Sequence, residues 1–204
     1  MPQITRIKVQ KNKKRVNIYL DGEFTFGLDG DNFLKAGLKV GQKLTQKQID
    51  DLVFKNEFQK LVDRTLRLIS RRPRSEKEIR NYLKKKKSRP KIIEEVVKKL
   101  NQLKQIDDSE FAQWWVEQRT TFRPRGKFGL TMELRQKGVD KEIIKKAIEK
   151  VDELPLAKKL AEKKTKAYKN LPREKRYQKM SAYLARRGFS WEIIKKVVAK
   201  FLKE

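Results

Sequence analysis

The chain has 204 residues and carries 54 Lys and Arg against 26 Asp and Glu, a formal net charge of +28. Hydrophobic residues make up 37% of it. That is below the share of about 45% in typical domains, so small amphipathic helical units are favoured over one thick sandwich. The sequence contains no Cys and no His, which excludes disulfides, thiolate metal sites and the commonest general base. No apolar run approaches the roughly 20 residues of a membrane helix and no signal peptide is recognisable, so we expect a cytoplasmic protein, or a nuclear one in a eukaryote.

The positive charge is unevenly distributed along the chain. Residues 1–57 hold 11 basic and 7 acidic residues, whereas residues 58–204 hold 43 and 19, so the two net charges are +4 and +24. An excess of this size repels itself and favours a polyanionic partner such as nucleic acid. A lysine-rich surface that is merely solvated is the alternative explanation.

The first 44 residues alternate apolar and polar positions, which predicts a three-stranded antiparallel β-meander. A polar turn at Lys11–Lys14 separates the first two strands. Asp21-Gly22 separates the next two and suits a type I′ hairpin, because both of its positions need positive φ. The alternating apolar residues are Ile4, Ile7, Val9, Val16, Ile18, Leu20, Phe24, Phe26 and Leu28. A short helix from Asp31 to Ala36, ending at Gly37, is predicted to follow.

Beyond residue 44 an apolar pattern recurs three times, which predicts tandem structural repeats. Each copy has an anchor leucine with an apolar residue four positions before it, and nine positions later the stripe of an amphipathic helix begins. The anchors Leu83, Leu134 and Leu184 are 51 and 50 residues apart. The stripes are Ile92-Ile93, Val96-Val97 and Leu100; Ile143-Ile144, Ala147-Ile148 and Val151; and Ile193-Ile194, Val197-Val198 and Phe201.

The turns after the anchors repeat as well. Gly138 and Gly188 lie where the end of a helix needs positive φ, and Lys87 takes that place in the first copy. Capping-box patterns at Thr45–Gln48 and Ser75–Glu78 mark two helix starts. Further helices are predicted before the anchors, near residues 57–70, 109–121 and 155–169.

We therefore predict a mainly α fold of three tandem three-helix repeats that form an elongated curved array, preceded by the β-meander. The predicted domains are residues 1–44 for the meander and short helix, and residues 45–106, 107–152 and 153–204 for repeats 1, 2 and 3. One helical bundle with accidental regularity is the alternative.

The sequence shows no convincing active site. Glu94-Glu95 fit surface ion pairs with Lys98-Lys99, and Asp107-Asp108 suit a helix start; a carboxylate metal site is the less favoured interpretation. Phosphate-loop and dinucleotide motifs are absent, and Gly126–Gly129 is interpreted as a flexible basic loop. We expect a binding protein without a cofactor, not an enzyme.

Basic side chains recur at the turn between the first and second helices of each repeat, which favours contacts with a phosphate backbone. Helix ends that simply accumulate charge are the alternative. The candidate nucleic-acid or filament-binding residues are Arg71, Arg72, Arg74, Lys77, Arg119, Arg123, Arg125, Lys127, Arg135, Arg173, Lys175, Arg176, Arg186 and Arg187. The densest basic run, Lys84–Lys87 with Arg89 and Lys91, is either a further contact or a solvated helix end.

Stacking on bases and base reading are less favoured. Trp114, Trp115 and Trp191 are candidates for stacking, but Phe111 beside the first two favours a core position for at least one of them. In repeats 1 and 2, the exposed face of the third helix is predicted to carry only Glu and Lys, unlike a recognition helix that reads bases. These residues are Glu94, Glu95, Lys98, Lys99, Lys145, Lys146 and Glu149. We expect recognition of a backbone or an assembly.

Several segments resemble the RecX family of recombination regulators: Arg74–Glu78 followed by Tyr82-Leu83, Ile106–Ala112 and Glu133–Asp140. The Asp21–Phe24 hairpin resembles the leader of the family's longer, Gram-positive-type members, and repeat 3 fits mainly by pattern. The resemblance implies a bacterial, cytoplasmic, monomeric protein without catalytic residues. It also implies binding to single- and double-stranded DNA and to the groove of the RecA recombinase filament. Such binding would restrain strand exchange, ATP hydrolysis and co-protease activity, with effects on recombination, DNA repair and the SOS response. A stand-alone, nonspecific DNA- or RNA-binding protein is the alternative.

Overall fold

The computed structural model describes residues 1–11 and 13–201, so Asn12 of the first predicted turn and residues 202–204 of repeat 3 lie outside the described residues. Within these ranges the chain forms three strands and ten helices, which confirms the mainly α fold. They are β1 Ile4–Val9, β2 Arg15–Leu20, β3 Glu23–Asp29, α1 Gly30–Ala36, α2 Gln46–Ile69, α3 Glu76–Lys85, α4 Pro90–Gln102, α5 Asp108–Phe122, α6 Lys127–Gln136, α7 Lys141–Glu149, α8 Glu153–Tyr168, α9 Arg173–Ala185 and α10 Trp191–Phe201. The first compact unit comprises Met1–Arg71 with Tyr82–Gln105, and the second comprises Arg72–Asn81 with the chain from Ile106 onward.

The first unit begins with the predicted antiparallel sheet, in the order β1-β2-β3. Asp21 and Gly22 adopt φ values of 49° and 92°, as the hairpin requires. Val9 and Phe24, which the alternation places among the core positions, are exposed. The register between β2 and β3 shifts between Ile18 and Tyr19, so that Ile18 pairs with Phe26 but Tyr19 pairs with Phe24. Such an irregularity reverses the alternation of faces, and Phe24 therefore lies on the opposite face from Phe26. Val9 lies at the end of an edge strand.

Helices α1 and α2 complete the small core under the sheet. Asp29 caps α1 by accepting a hydrogen bond from the Asn32 N–H at 2.8 Å, and Gly37 ends the helix with φ of 58°. Thr45 and Gln48 form the predicted reciprocal capping box of α2. α2 is one helix of 24 residues, so the lead-in segment and the predicted first helix of repeat 1 are continuous.

The three anchors, Leu83, Leu134 and Leu184, are fully buried, which confirms the apolar pattern. The residues at the turn position four after each anchor, Lys87, Gly138 and Gly188, all have positive φ, at 57°, 82° and 78°. Lys87 therefore adopts the left-handed conformation that glycine adopts in the other two repeats. That conformation costs a residue with a side chain about 1 kcal/mol. The backbone conformation of this turn is therefore the same in all three repeats, even where lysine replaces glycine.

In the second unit, a defined pair of hydrogen bonds joins the start of α3 to the next repeat. The Ser75 hydroxyl donates to the Lys137 carbonyl at 2.8 Å, just after the C-terminal end of α6. The Glu76 N–H donates to Asp108 Oδ1 at 3.0 Å, at the start of α5. Burial raises the pKa of the Asp108 carboxyl and outweighs the lowering effect of this bond, and the nearby Glu76 and Asp107 charges raise it too. We call this pair of contacts the first junction.

An equivalent pair of hydrogen bonds joins α6 to repeat 3. The Gly126 N–H donates to the Arg187 carbonyl at 3.0 Å, and the Lys127 N–H donates to Glu153 Oε1 at 3.0 Å. Counted from the anchors, Gly126 and Lys127 occupy the positions of Ser75 and Glu76, and Arg187 occupies that of Lys137. This second junction therefore uses the same positions as the first, although its first donor is a backbone N–H where the first junction has the Ser75 hydroxyl.

The interpretation of Gly126–Gly129 as a flexible loop is wrong. Gly126 is the N-cap of α6 and Gly129 lies within that helix. A Cβ atom at Gly129 would lie 2.5 Å from the carbonyl oxygen of Arg187, and one at Gly126 would overlap the backbone of Gly188. These glycines permit a close approach of two backbones at the second junction.

Candidate nucleic-acid interface

Basic residues lie at the same distances before the anchors in all three repeats, but only those of repeats 1 and 2 lie in the turn between the first and second helices. The prediction of a basic turn is wrong for repeat 3, because α9 begins at Arg173 and includes Lys175 and Arg176. Eleven residues before the anchors lie Arg72, Arg123 and Arg173, and nine residues before them lie Arg74, Arg125 and Lys175. The structure places these six residues in different surroundings. Some of the cations hold the fold together, and others are exposed.

In the first of these turns, three cations surround the carboxylate of Glu78. Arg72 Nη1 lies 2.9 Å from Oε2, Lys137 Nζ lies 2.6 Å from Oε1, and Arg74 Nη1 lies 3.8 Å from Oε2. The Glu78 side chain is only 15% exposed. Burial alone would raise the pKa of Glu78, but hydrogen bonds from Arg72 and Lys137 outweigh it and hold the pKa below its usual range. Arg72 and Arg74 thus have a structural role at the first junction.

The carboxylate of Glu133 organises the second turn. It binds Arg119 Nε at 2.6 Å and Arg125 Nε at 3.2 Å, and it accepts a hydrogen bond from the Trp115 indole at 2.9 Å. The Arg119 guanidinium lies 4.3 Å from the centre of the Trp115 ring, a cation–π distance. Trp115 therefore packs within the protein, and Trp114 likewise packs against the ring of Phe111.

Seven of the predicted residues are exposed and have no ion-pair partner among the described residues. They are Arg71, Lys77, Arg123, Arg135, Arg173, Lys175 and Arg186. Their ammonium and guanidinium groups are available to an external anion. Arg123 and Arg173 both lie eleven residues before an anchor, although Arg123 caps the end of α5 and Arg173 begins α9. Their exposure and recurrence make them candidates for phosphate contacts.

Of the remaining three candidates, two already contact groups of the protein and the third is partly buried. Lys127 Nζ donates to the Glu149 carbonyl at 2.9 Å, and the Arg187 guanidinium lies 4.7 Å from the centre of the Tyr183 ring. The Nε of Arg176 is buried and finds no hydrogen-bond partner in the described part of the chain. These three side chains are less available to a ligand than the exposed seven.

Three exposed apolar side chains on repeat 2 were missed by the sequence interpretation. Phe122, Phe128 and Met132 are 71%, 68% and 41% exposed. Phe128, Met132 and Arg135 follow one another at spacings of four and three residues, so they share a face of α6 opposite the buried Leu130. That spacing is visible in the sequence, but only once the buried face of the helix is known.

Within residues 1–11 and 13–201, no group of three or more acidic side chains is placed to hold a metal ion. None of the helices described is long and apolar enough to cross a membrane. Glu94, Glu95, Lys98 and Lys99 are exposed on α4, as predicted for a face that does not read bases.

The fold and the exposed cations define a basic helical-repeat protein with a small β-sheet leader. Four family models match it: the regulatory protein RecX N-terminal domain at residues 2–45, and the first, second and third RecX three-helix domains at residues 63–100, 107–148 and 152–198. The three helical matches fall on the three repeats.

Whole-chain relatives agree with the family models. Regulatory protein RecX of Bacillus subtilis is 37% identical over 198 residues, which cover 95% of this chain and 75% of that protein. The protein of the same name from Listeria welshimeri is 34% identical and covers 95% and 73%. A crystal structure of regulatory protein RecX superposes with a TM-score of 0.72 and 31% identity, covering 97% of this chain and 98% of the other. RecX from Lactobacillus salivarius, with a TM-score of 0.63 and 23% identity over 72% of this chain and 97% of the other, supports the fold. The chain belongs to the RecX family, a family of regulatory proteins and not of enzymes.

Proposed function

We propose that this protein inhibits the RecA recombinase by binding along the RecA filament on DNA, as a cytoplasmic monomer without catalytic activity. Through this binding it affects recombination, DNA repair and the SOS response. The observation that carries the proposal is the equivalence of the first and second junctions. The two junctions use equivalent positions in successive repeats, and a repeated connection of this kind suits a partner that is itself periodic. Membership of the RecX family supports RecA as that partner.

The proposal gives the exposed and the paired cations different tasks. Exposed cations such as Arg123 and Arg173 meet DNA phosphates, whose contacts need charge and spacing but no base code. Arg72, Arg74 and Arg119 are held by acidic partners and fix the turns. The exposed Phe128 and Met132, which share a face of α6, contact the recombinase, because aromatic residues and Met are enriched at protein interfaces.

The test is ATP hydrolysis by RecA on single-stranded DNA. We expect the rate to fall as the protein is titrated in, because a regulator that bridges the filament changes its assembly or its turnover. Filament length, followed by electron microscopy, should change over the same concentration range. An unchanged rate at saturating protein would contradict the proposal.

A charge-reversal variant tests the role of the exposed cations. We expect Arg123→Glu with Arg173→Glu to weaken binding to single-stranded DNA about tenfold and to make its salt dependence shallower, because each lost phosphate contact removes about 0.7 from the log–log slope. The matched control is Lys98→Glu with Lys146→Glu, which changes the net charge equally on exposed third-helix faces. Equal losses in the two variants would show that overall charge, and not these positions, determines binding.

A stand-alone nucleic-acid-binding protein is the second candidate function. The net charge of +28 favours it independently of any protein partner. It requires tight binding to DNA at moderate salt in the absence of RecA. Weak binding under those conditions, together with a clear effect on RecA, would exclude it.

A further inference from the structure

A basic cleft lies in the first unit, and none of the candidate binding residues of the interface lines it. It has a volume of about 640 Å³ and is bounded by the start of β2, the segment from the end of β3 into α1, and one face of α2. Six cations line it: Lys13, Lys14, Arg15, Lys35, Lys60 and Arg67. Four of these cations belong to residues 1–57, whose net charge is only +4, so a concentration of positive charge here was not expected from the sequence.

The acidic residues of the cleft neutralise only part of this charge. Asp29, Asp31 and Asp63 also line it. The Asp29 carboxylate is engaged by the N–H and the side-chain amide of Asn32, at 2.8 and 2.7 Å. Asp63 accepts a hydrogen bond from the Gln59 amide at 2.8 Å. Six cations against three carboxylates leave the cleft with an excess of positive charge.

The cations lie close enough to repel one another. Partial burial lowers the pKa of Lys60, and the charges of Arg64 and Arg15 lower it further. A group of cations in this situation is stabilised when an anion enters between them. The repulsion is therefore a cost that a bound anion would relieve.

The walls of the cleft are held in place before any ligand arrives. The Asn56 side chain of α2 donates to the Gly27 carbonyl at 3.0 Å and accepts from the Asp29 N–H at 2.9 Å. Arg15 Nη2 donates to the same Gly27 carbonyl at 3.2 Å. These bonds fix α2 and β2 against β3, so little ordering remains to oppose binding.

We propose that this cleft binds the phosphodiester backbone of nucleic acid and gives the first unit a DNA contact of its own. Four of its six cations are lysines, which act as point charges suited to phosphate, whereas recognition of planar carboxylates favours the arginine fork. The volume lies within the range of about 300–1,000 Å³ of sites that enclose a small ligand, enough for a phosphate with its sugar. The inference rests on the DNA contact in the proposed function and extends it to the β-sheet leader.

The experiment uses the full chain and a fluorescently labelled single-stranded oligothymidylate, with binding followed by anisotropy over a range of salt concentrations. The variant is Lys35→Glu with Lys60→Glu, which reverses charge on two walls of the cleft. We expect binding about tenfold weaker and a log–log salt slope shallower by about 1. The control, Lys39→Glu with Lys47→Glu, makes the same change of net charge at exposed lysines of the first unit that do not line the cleft, and it should bind almost as the wild type does.

Three outcomes would overturn the inference. The first is an equal loss of oligonucleotide affinity in variant and control, and the second is no loss in the variant. The third is unchanged oligonucleotide binding by a variant that no longer binds polyglutamate, which would identify an acidic-peptide site. If the charge-reversal variant fails to fold by circular dichroism, Lys35→Gln with Lys60→Gln removes the charges without adding repulsion and decides the same question. Inhibition of RecA by the wild-type protein is measured separately. A cleft that binds no DNA in a protein that inhibits RecA would contradict this inference alone.

Discussion

Replacing Glu78 by Ala is expected to lower the free energy of unfolding by about 2–3 kcal/mol, because removing one partner of a largely buried ion pair leaves its counter-ions uncompensated. Three cations, Arg72, Arg74 and Lys137, would then remain around an emptied position. Lys137 lies 59 residues from Glu78 in the sequence, so the loss also weakens the first junction. Urea denaturation followed by circular dichroism measures the change.

The same carboxylate makes the stability depend on pH in a defined direction. The pKa of Glu78 is lower in the folded protein than in the unfolded chain, where it is about 4.3. Its contribution is therefore fully present above the unfolded value and is lost as the pH falls through the folded value. We expect the difference in free energy of unfolding between the wild type and Glu78→Gln to be largest near neutral pH and to shrink in acid.

Glu110→Gln is the control for this pH dependence, since Glu110 is exposed in the first turn of α5. That variant should follow the wild type at every pH. A constant gap between the wild type and Glu78→Gln from neutral to acidic pH would contradict the role given to the Glu78 carboxylate. It would show that the substitution acts through packing alone.

The apolar spacing predicted much of the fold, because each signal was local. The buried anchors and the left-handed turn at Gly138 follow from periodicities within a few residues. The turn at Lys87 was placed by its equivalence to Gly138, although lysine alone gives no sign of it. What failed at Phe24 was the register, which depends on an irregularity that no local pattern signals.

The sequence predicted which basic residues recur relative to the anchors, but not which of them are paired with acidic residues in the folded chain. Arg72 and Arg123 both lie eleven residues before an anchor leucine, so the repeat pattern does not distinguish them. Only the folded chain brings Lys137, 59 residues away, to the Glu78 carboxylate that also binds Arg72, and leaves Arg123 exposed. The contact of Lys137 with Glu78 depends on how the repeats dock, and periodicity within one repeat contains no information on that.

At the second junction, the local and the tertiary effects of one substitution, Gly129→Ala, on the free energy of unfolding have opposite signs. Gly129 lies inside α6, where replacing an exposed glycine by alanine ordinarily stabilises a helix by about 1 kcal/mol. Here the new Cβ would lie 2.5 Å from the Arg187 carbonyl oxygen, which belongs to backbone and cannot move aside as a flexible side chain can. Gly129→Ala should therefore lower the free energy of unfolding, by about 1–3 kcal/mol, the usual cost of overpacking.

Gly37→Ala provides the contrast. Gly37 ends α1 with φ of 58°, and a new Cβ there meets no described atom within 4 Å, so its cost comes from the positive φ and not from a collision. Urea denaturation compares the free energies of unfolding of the two variants, and titration against RecA compares their inhibition. If regular junctions align the repeats with a filament, Gly129→Ala should inhibit RecA less than Gly37→Ala does at equal folded fraction, because only the former displaces repeat 3 from repeat 2. A stabilised Gly129→Ala protein would mean that the two backbones do not approach closely, and the argument from equivalent junctions would lose its second example.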